Sequence, residues 1–162
     1  MKRKILNMCI IFFSGAWAVF LIRQFKKKSS KNVARDKYFL YYDVLNKWMK
    51  QKENGVSVAE TLMQRGIHEI AIYGMADMGR HLQCELVGTD IVIKYAIDRS
   101  FFVVSDLDVY LPDSELPQVD AVIVTPVFDY ESIRNHLKQK LSCPILSLAD
   151  LFGEDGKTLY ES

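Results

Sequence analysis

Residues 69–79 have the sequence EIAIYGMADMG, in which a short apolar segment runs directly into a turn that begins and ends with glycine. The segment Glu69–Tyr73 has the length and composition of a buried strand. Gly74, Ala76 and Gly79 occupy the three glycine positions of the G-x-G-x-x-G pattern, whose glycines allow a tight turn, close approach of a phosphate and close helix–strand packing. The stretch therefore predicts a strand, a dinucleotide-type turn and a helix.

Strand and helix patterns continue to alternate after this turn. We predict helices at 79–87 and 131–141, and strands at Ile91–Ile97, around Val109, at Ala121–Thr125 and at Pro144–Leu148. Strands that are separated by helices favour parallel pairing through crossover connections. The fold class predicted for this region is α/β, with a small Rossmann-like parallel sheet of about five strands.

Two helices are predicted before the sheet, at 33–53 and at 57–65. Ser57 and Glu60 have the spacing of a capping box at the start of the second helix. Apolar side chains recur along the first helix at three- and four-residue spacing, which favours packing on the sheet or on the second helix over docking to another protein. These side chains are Val33, Tyr38, Tyr41, Val44, Leu45, Trp48 and Met49.

The N-terminal segment predicts a membrane anchor. Ile5–Ile22 is uncharged, and as a helix it would be about 27 Å long, close to the thickness of a bilayer core. More basic residues follow this segment than precede it, so residues 5–31 are expected to contact membrane lipid in a single-pass protein whose soluble domain is cytoplasmic. A signal peptide cleaved after Ala16-Trp17-Ala18 and a helix lying in the membrane interface are the alternatives.

Charge is distributed unevenly along the chain. Residues 1–37 carry ten of the 21 Lys and Arg side chains and only one of the 20 acidic ones. The rest of the chain is acidic. This argues against a nucleic-acid partner, since phosphate binding needs a basic face. The patterns divide the chain into an anchor with a basic linker (1–31), a helical lead-in (32–65), a Rossmann-like domain (66–152) and a polar tail (153–162).

The candidate binding site lies where the first strand, the second strand and the strand ending at Thr125 reach the same edge of the sheet. Asp98 follows the second strand 24 residues after Gly74, near the distance at which an acid binds a ribose hydroxyl. These residues do not identify a cofactor; NAD and a nucleotide-sugar are the candidate ligands. The alternative is that the glycines serve only the turn and Asp98 caps the next loop. The predicted binding residues are Gly74, Met75, Ala76, Gly79, Asp98, Arg99, Thr125 and Pro126.

Catalytic groups are scarce in the sequence. Tyr130 and Arg134 have the spacing of the Tyr-x-x-x-Lys pair of sugar-nucleotide epimerases and short-chain reductases, but arginine replaces lysine and the pair comes too early in the chain. The three cysteines and three histidines have no metal-site spacing. The sequence thus favours a non-catalytic protein over an enzyme and predicts no metal.

The stretch from Val44 to Leu151 resembles an accessory domain of bacterial surface-polysaccharide proteins, which is often appended to glycosyltransferases. The resemblance implies a Rossmann-like fold and a polysaccharide-synthesis enzyme as partner. It is carried by Leu45–Trp48, Ile70–Met75, Met78-Gly79, Lys94–Asp98, Leu116-Pro117, Asp120–Thr125, Pro144-Ile145 and Ser147-Leu148.

These observations together predict a membrane-tethered, non-catalytic module that binds a nucleotide, a nucleotide-sugar or a partner in cell-envelope polysaccharide synthesis. An NAD-dependent sugar-nucleotide oxidoreductase or epimerase is the first alternative. A structural adaptor that docks through the aromatic first helix is the second.

Overall fold

A computed structural model describes residues 32–100 and 106–152. The predicted anchor and linker at 1–31 and the predicted tail at 153–162 lie outside the described residues. Among the helices of these two ranges, none has both the length and the apolar composition of a membrane span.

Five parallel strands form one sheet in the order β3-β2-β1-β4-β5. This confirms the predicted α/β class and the parallel sheet. In this order the chain moves from the central strand β1 to one side, then returns to the other side at β4, as it does in doubly wound folds. The strands are β1 (Glu69–Tyr73), β2 (Val92–Ile97), β3 (Val109–Tyr110), β4 (Ala121–Val124) and β5 (Ile145–Ser147).

Four α-helices accompany the sheet in the described residues. They are α1 (32–53), α2 (Val58–Gln64), α3 (Asp77–Leu86) and α4 (Tyr130–Leu137), with 3-10 turns at Val127–Asp129 and Leu148–Leu151. The predicted capping box starts α2, because Ser57 Oγ accepts the Glu60 N–H and the Glu60 carboxylate accepts the Ser57 N–H, both at 3.1 Å. Helix α4 ends four residues earlier than predicted, since the chain tightens into turns after Leu137.

Helices cover both faces of the sheet. Ile70 and Ile72 of β1 join a core with α2, α3 and part of α1, whereas Ala71 and Tyr73 point into a second core with α4. This division follows from the alternation of side chains along a strand. We refer below to the α3 face and the α4 face of the sheet.

The apolar side chains of α1 divide into two groups. Val44 and Trp48 are buried in the core on the α3 face, and the Trp48 ring stacks on Phe152 with centroids 5.0 Å apart. Leu45 and Met49 are exposed. Tyr38 is exposed as well. It precedes Leu40, at which the compact unit that contains the sheet begins. The predicted packing on the domain therefore holds for one side of the helix.

Asp120 clamps the amino-terminal edge of the sheet, where β1 and β4 begin. Its Oδ2 accepts the backbone N–H of Glu69 at 2.8 Å and that of His68 at 2.9 Å. These bonds lower the pKa of the Asp120 carboxyl below its ordinary value, because they favour the charged form.

We expect Asp120→Asn to lose less stability at low pH than the parent protein does. A carboxyl whose pKa is lowered by folding stabilises the native state above its unfolded pKa of about 3.9, and this contribution is lost as the pH falls through the lower folded pKa. The drop in the free energy of unfolding between pH 6 and pH 2.5, measured by urea titration, should be smaller in this variant. Asp90→Asn, at an exposed side chain, is the control. An unchanged drop in the Asp120 variant would contradict the clamp.

Candidate ligand-binding cleft

The glycine turn between β1 and α3 is built around two close contacts. Gly74 has φ +89°, and a Cβ added there would lie 2.8 Å from Pro126 Cδ and 2.9 Å from Thr125 Oγ1. A Cβ on Gly79 would lie only 2.1 Å from the Gly74 carbonyl oxygen. Both positions therefore need glycine for the packing of the turn itself.

The Asp98 side chain holds the backbone of this turn. The carboxylate follows β2, and its Oδ2 accepts the Met75 N–H at 2.9 Å while its Oδ1 accepts the Ser100 N–H at 3.0 Å. The Gly74 N–H donates to the Ile97 carbonyl at 2.8 Å. An acid placed where a ribose binder is expected thus serves as the acceptor for two backbone groups.

The loop after β4 packs on the same turn. Thr125 is buried, and its hydroxyl donates to the Gly74 carbonyl at 2.7 Å and lies 3.2 Å from the Tyr73 carbonyl. Ala76 and Asp77 are exposed at the start of α3, and the Asp77 carboxylate pairs with Arg80 at 2.5 Å.

Gly74 and Met75 offer no free backbone donor to the pyrophosphate of a nicotinamide dinucleotide. In the G-x-G-x-x-G pattern the turn lets the backbone approach the pyrophosphate and an acid binds the ribose. In this chain the Gly74 and Met75 N–H groups already have acceptors, and the acid is one of them.

A cleft of about 440 Å³ opens at the same edge of the sheet but on the α4 face. It lies between α4 and the loops that follow β2 and β3, and the carboxyl end of β1 forms its base. This is the region of a doubly wound sheet in which ligands bind, because the strand ends and the loops after them diverge there. Its lining residues are Tyr73, Arg99, Leu111, Pro112, Asp113, Ser132, Ile133 and His136.

Hydrogen bonds between α4 and the loop after β3 fix one wall of the cleft. His136 Nε2 lies 3.1 Å from Asp113 Oδ1 and 3.4 Å from the Pro112 carbonyl oxygen. Nearby, Lys140 Nζ donates to the Ser114 carbonyl at 3.2 Å, and the Ser114 hydroxyl closes the loop on the Leu111 carbonyl at 2.7 Å. The wall is therefore built from several contacts and does not depend on one side chain.

Two polar groups of the cleft have no partner in the described part of the chain. Arg99 forms no ion pair with any described acidic side chain. Tyr73 is only 5% exposed, and its hydroxyl makes no hydrogen bond with the described residues. The Tyr73 hydroxyl is not itself fully buried, so it can form a hydrogen bond with a ligand in the cleft.

The structure brings the eight predicted site residues to one edge of the sheet but divides them between two roles. Arg99 alone lines the cleft, whereas Gly74, Met75, Gly79, Asp98, Thr125 and Pro126 build the turn and its contacts, and Ala76 precedes α3. Tyr73, Ser132 and His136 were missed. The position of Tyr73 as the last residue of β1 was the one sequence signal for it, because that residue always reaches this edge.

Tyr130, considered above as a catalytic residue, is buried, and its hydroxyl donates to the Ile145 carbonyl at 2.7 Å. It ties α4 to β5. No group of three or more His, Cys, Asp or Glu side chains suited to a metal ion occurs in the described ranges.

Comparisons with protein-family models, with curated proteins and with solved structures give no match for this chain.

Proposed function

We propose that this chain is a non-catalytic binding module that takes a nucleotide or a nucleotide-sugar in the cleft on the α4 face. One observation carries the proposal: a cleft of about 440 Å³ at the carboxyl edge of the sheet contains an arginine and a tyrosine hydroxyl that have no partner among the described residues.

The chemistry of the lining suits such a ligand. The Arg99 guanidinium offers a planar set of donors that matches a phosphate group. The hydroxyls of Tyr73 and Ser132 suit the hydroxyls of a ribose or another sugar, and Leu111 and Ile133 supply apolar surface for a ring. The volume lies within the range of about 300–1,000 Å³ for small-molecule pockets.

A second candidate, hydrolysis of a phosphate or glycosyl ester, rests on His136. Its ring is held by Asp113, as a general base often is. However, Ser132, four residues earlier on α4, forms no hydrogen bond with it in the described structure, so no activated nucleophile is assembled. Burial raises the pKa of the Cys143 thiol, which is the reverse of what a cysteine nucleophile requires. These features favour binding over catalysis.

The cellular setting belongs to the proposal as well. The uncharged segment Ile5–Ile22 with its basic flanks supports tethering to a membrane, with the domain on the cytoplasmic side. The resemblance over Val44–Leu151 supports work beside an enzyme of cell-envelope polysaccharide synthesis. A protein that delivers or senses a sugar nucleotide at the membrane would fit both the tethering and this enzyme partner.

We expect nucleotides to stabilise the full chain in a thermal-shift panel of nucleoside monophosphates, diphosphates and nucleotide-sugars. A ligand at a hundred times its Kd should add about 2.7 kcal/mol. Arg99→Gln should raise Kd about 10- to 100-fold, since a hydrogen bond to a charged group contributes about 1.5–3 kcal/mol. Arg80→Gln, on α3, is the matched control and should leave Kd unchanged. A panel without any hit, or equal Kd values in the two variants, would contradict the proposal.

A further inference from the structure

We infer that the cleft accepts a single nucleotide unit and that the chain does not use its glycine turn to bind a dinucleotide. The inference rests on the function proposed above and narrows its ligand class. It contradicts what the glycine spacing alone suggests.

The first argument is that the polar groups at the start of the turn, those of Gly74 and Met75, are already used. A backbone N–H has one hydrogen to donate, and those of Gly74 and Met75 donate to the Ile97 carbonyl and to Asp98. The Gly74 carbonyl accepts the Thr125 hydroxyl. A pyrophosphate would have to break these bonds before it could form its own, and their replacement would leave little net gain.

The second argument is steric. A ligand that spans the two halves of a doubly wound sheet has to cross where the loops after β1 and β4 face each other. Here those loops are in contact, since even one methyl group on Gly74 would lie within 3 Å of both Thr125 and Pro126. A pyrophosphate that passed between them would have to separate the two loops.

The third argument is the placement of the cleft. Its lining includes Tyr73 and Arg99 but neither the glycines of the turn nor Thr125 and Pro126. The ligand is therefore confined to the half of the sheet that contains β1, β2 and β3, on the α4 face. With about 440 Å³ near the lower end of the usual range, the cleft has room for one nucleotide, with its phosphate on Arg99 and a hydroxyl on Tyr73.

The test compares ligands that differ by one nucleotide half. NAD contains AMP as one of its halves, and diuridine diphosphate contains UMP. Calorimetric titration of the full chain should give a Kd for each dinucleotide that equals that of the matching monophosphate within threefold, or is weaker. A dinucleotide that binds ten or more times tighter would overturn the inference while leaving the proposed function intact. If none of the four compounds binds and the wider nucleotide panel also gives no hit, the proposed function fails, and the inference fails with it.

Two adjacent variants separate the turn from the cleft. Asp98→Asn keeps one acceptor oxygen, so it should lower the melting temperature through the weakened turn and change the Kd of the bound monophosphate less than twofold. Arg99→Gln should do the opposite, with a Kd at least tenfold higher at an unchanged melting temperature. A tenfold loss of affinity in the Asp98 variant would mean that this acid binds the ribose, and the inference would be wrong.

Discussion

Replacement of Gly79 by alanine is expected to destabilise the domain by about 3 kcal/mol or more. Inside a helix the same change usually stabilises by up to about 1 kcal/mol, because alanine has the higher helix propensity. Here the new methyl group would lie 2.1 Å from the Gly74 carbonyl oxygen. That oxygen cannot retreat easily, since Gly74 is packed against Thr125 and Pro126. The expected sign of the effect is therefore reversed.

Urea unfolding followed by circular dichroism would measure this loss. Gly55→Ala is the comparison, because Gly55 has a positive φ of +77°, unlike Gly79, but has no atom within 4 Å of an added Cβ. That variant should lose only about 1–2 kcal/mol, the usual cost of a left-handed conformation. A Gly79 variant that is as stable as the parent would show that the turn has room for a side chain at this position, and the requirement for glycine there would be wrong.

Trp48→Ala is expected to cost about 3–5 kcal/mol, the range for removal of a large buried aromatic side chain. Trp48 is 2% exposed and stacks on Phe152, so its removal would leave a cavity where the first and last described elements of the domain meet. Met49→Ala, one residue further along α1, should stay within about 0.5 kcal/mol because Met49 is 49% exposed.

Trp48→Phe refines this prediction. The indole Nε1 of Trp48 is buried without a hydrogen-bond partner in the described residues, so phenylalanine removes an unsatisfied donor while keeping an aromatic ring. We expect this variant to retain more than half of the stability that alanine loses. Similar losses at Trp48 and Met49 in the alanine variants would mean that α1 does not contribute to the core.

The sequence predicted the parallel sheet because each strand carries a short apolar run and each turn has its own signal. The clearest case is β1, where a buried strand ends in glycine. The strand at Val109 was predicted only weakly, since an edge strand of two residues leaves little pattern. Periodicity along α1 showed that apolar residues recur but not which of them face the core. Trp48 and Met49 are both apolar neighbours on the helix, yet only Trp48 points into the core.

The candidate site was harder to predict than the fold. The position of Asp98 after β2 was correct, but its role depends on which donors lie near it, and that is decided by the path of the turn. Tyr73, Arg99 and His136 come from three elements spread over more than 60 residues of sequence. The strand order brings them together, so no local sequence pattern predicts that they are close.

The two outer strands have a consequence for the behaviour of the protein at high concentration. A sheet edge offers free backbone groups to which another chain can add as a strand, and this is a common start of fibre growth. The outer strands β3 and β5 are only two and three residues long. The apolar strands β1 and β4 are paired on both sides, whereas β3 covers only Ala96 and Ile97 of β2. The two apolar strands at the centre of the sheet are thus covered by neighbours, which should help to keep the folded domain dispersed when many copies crowd together.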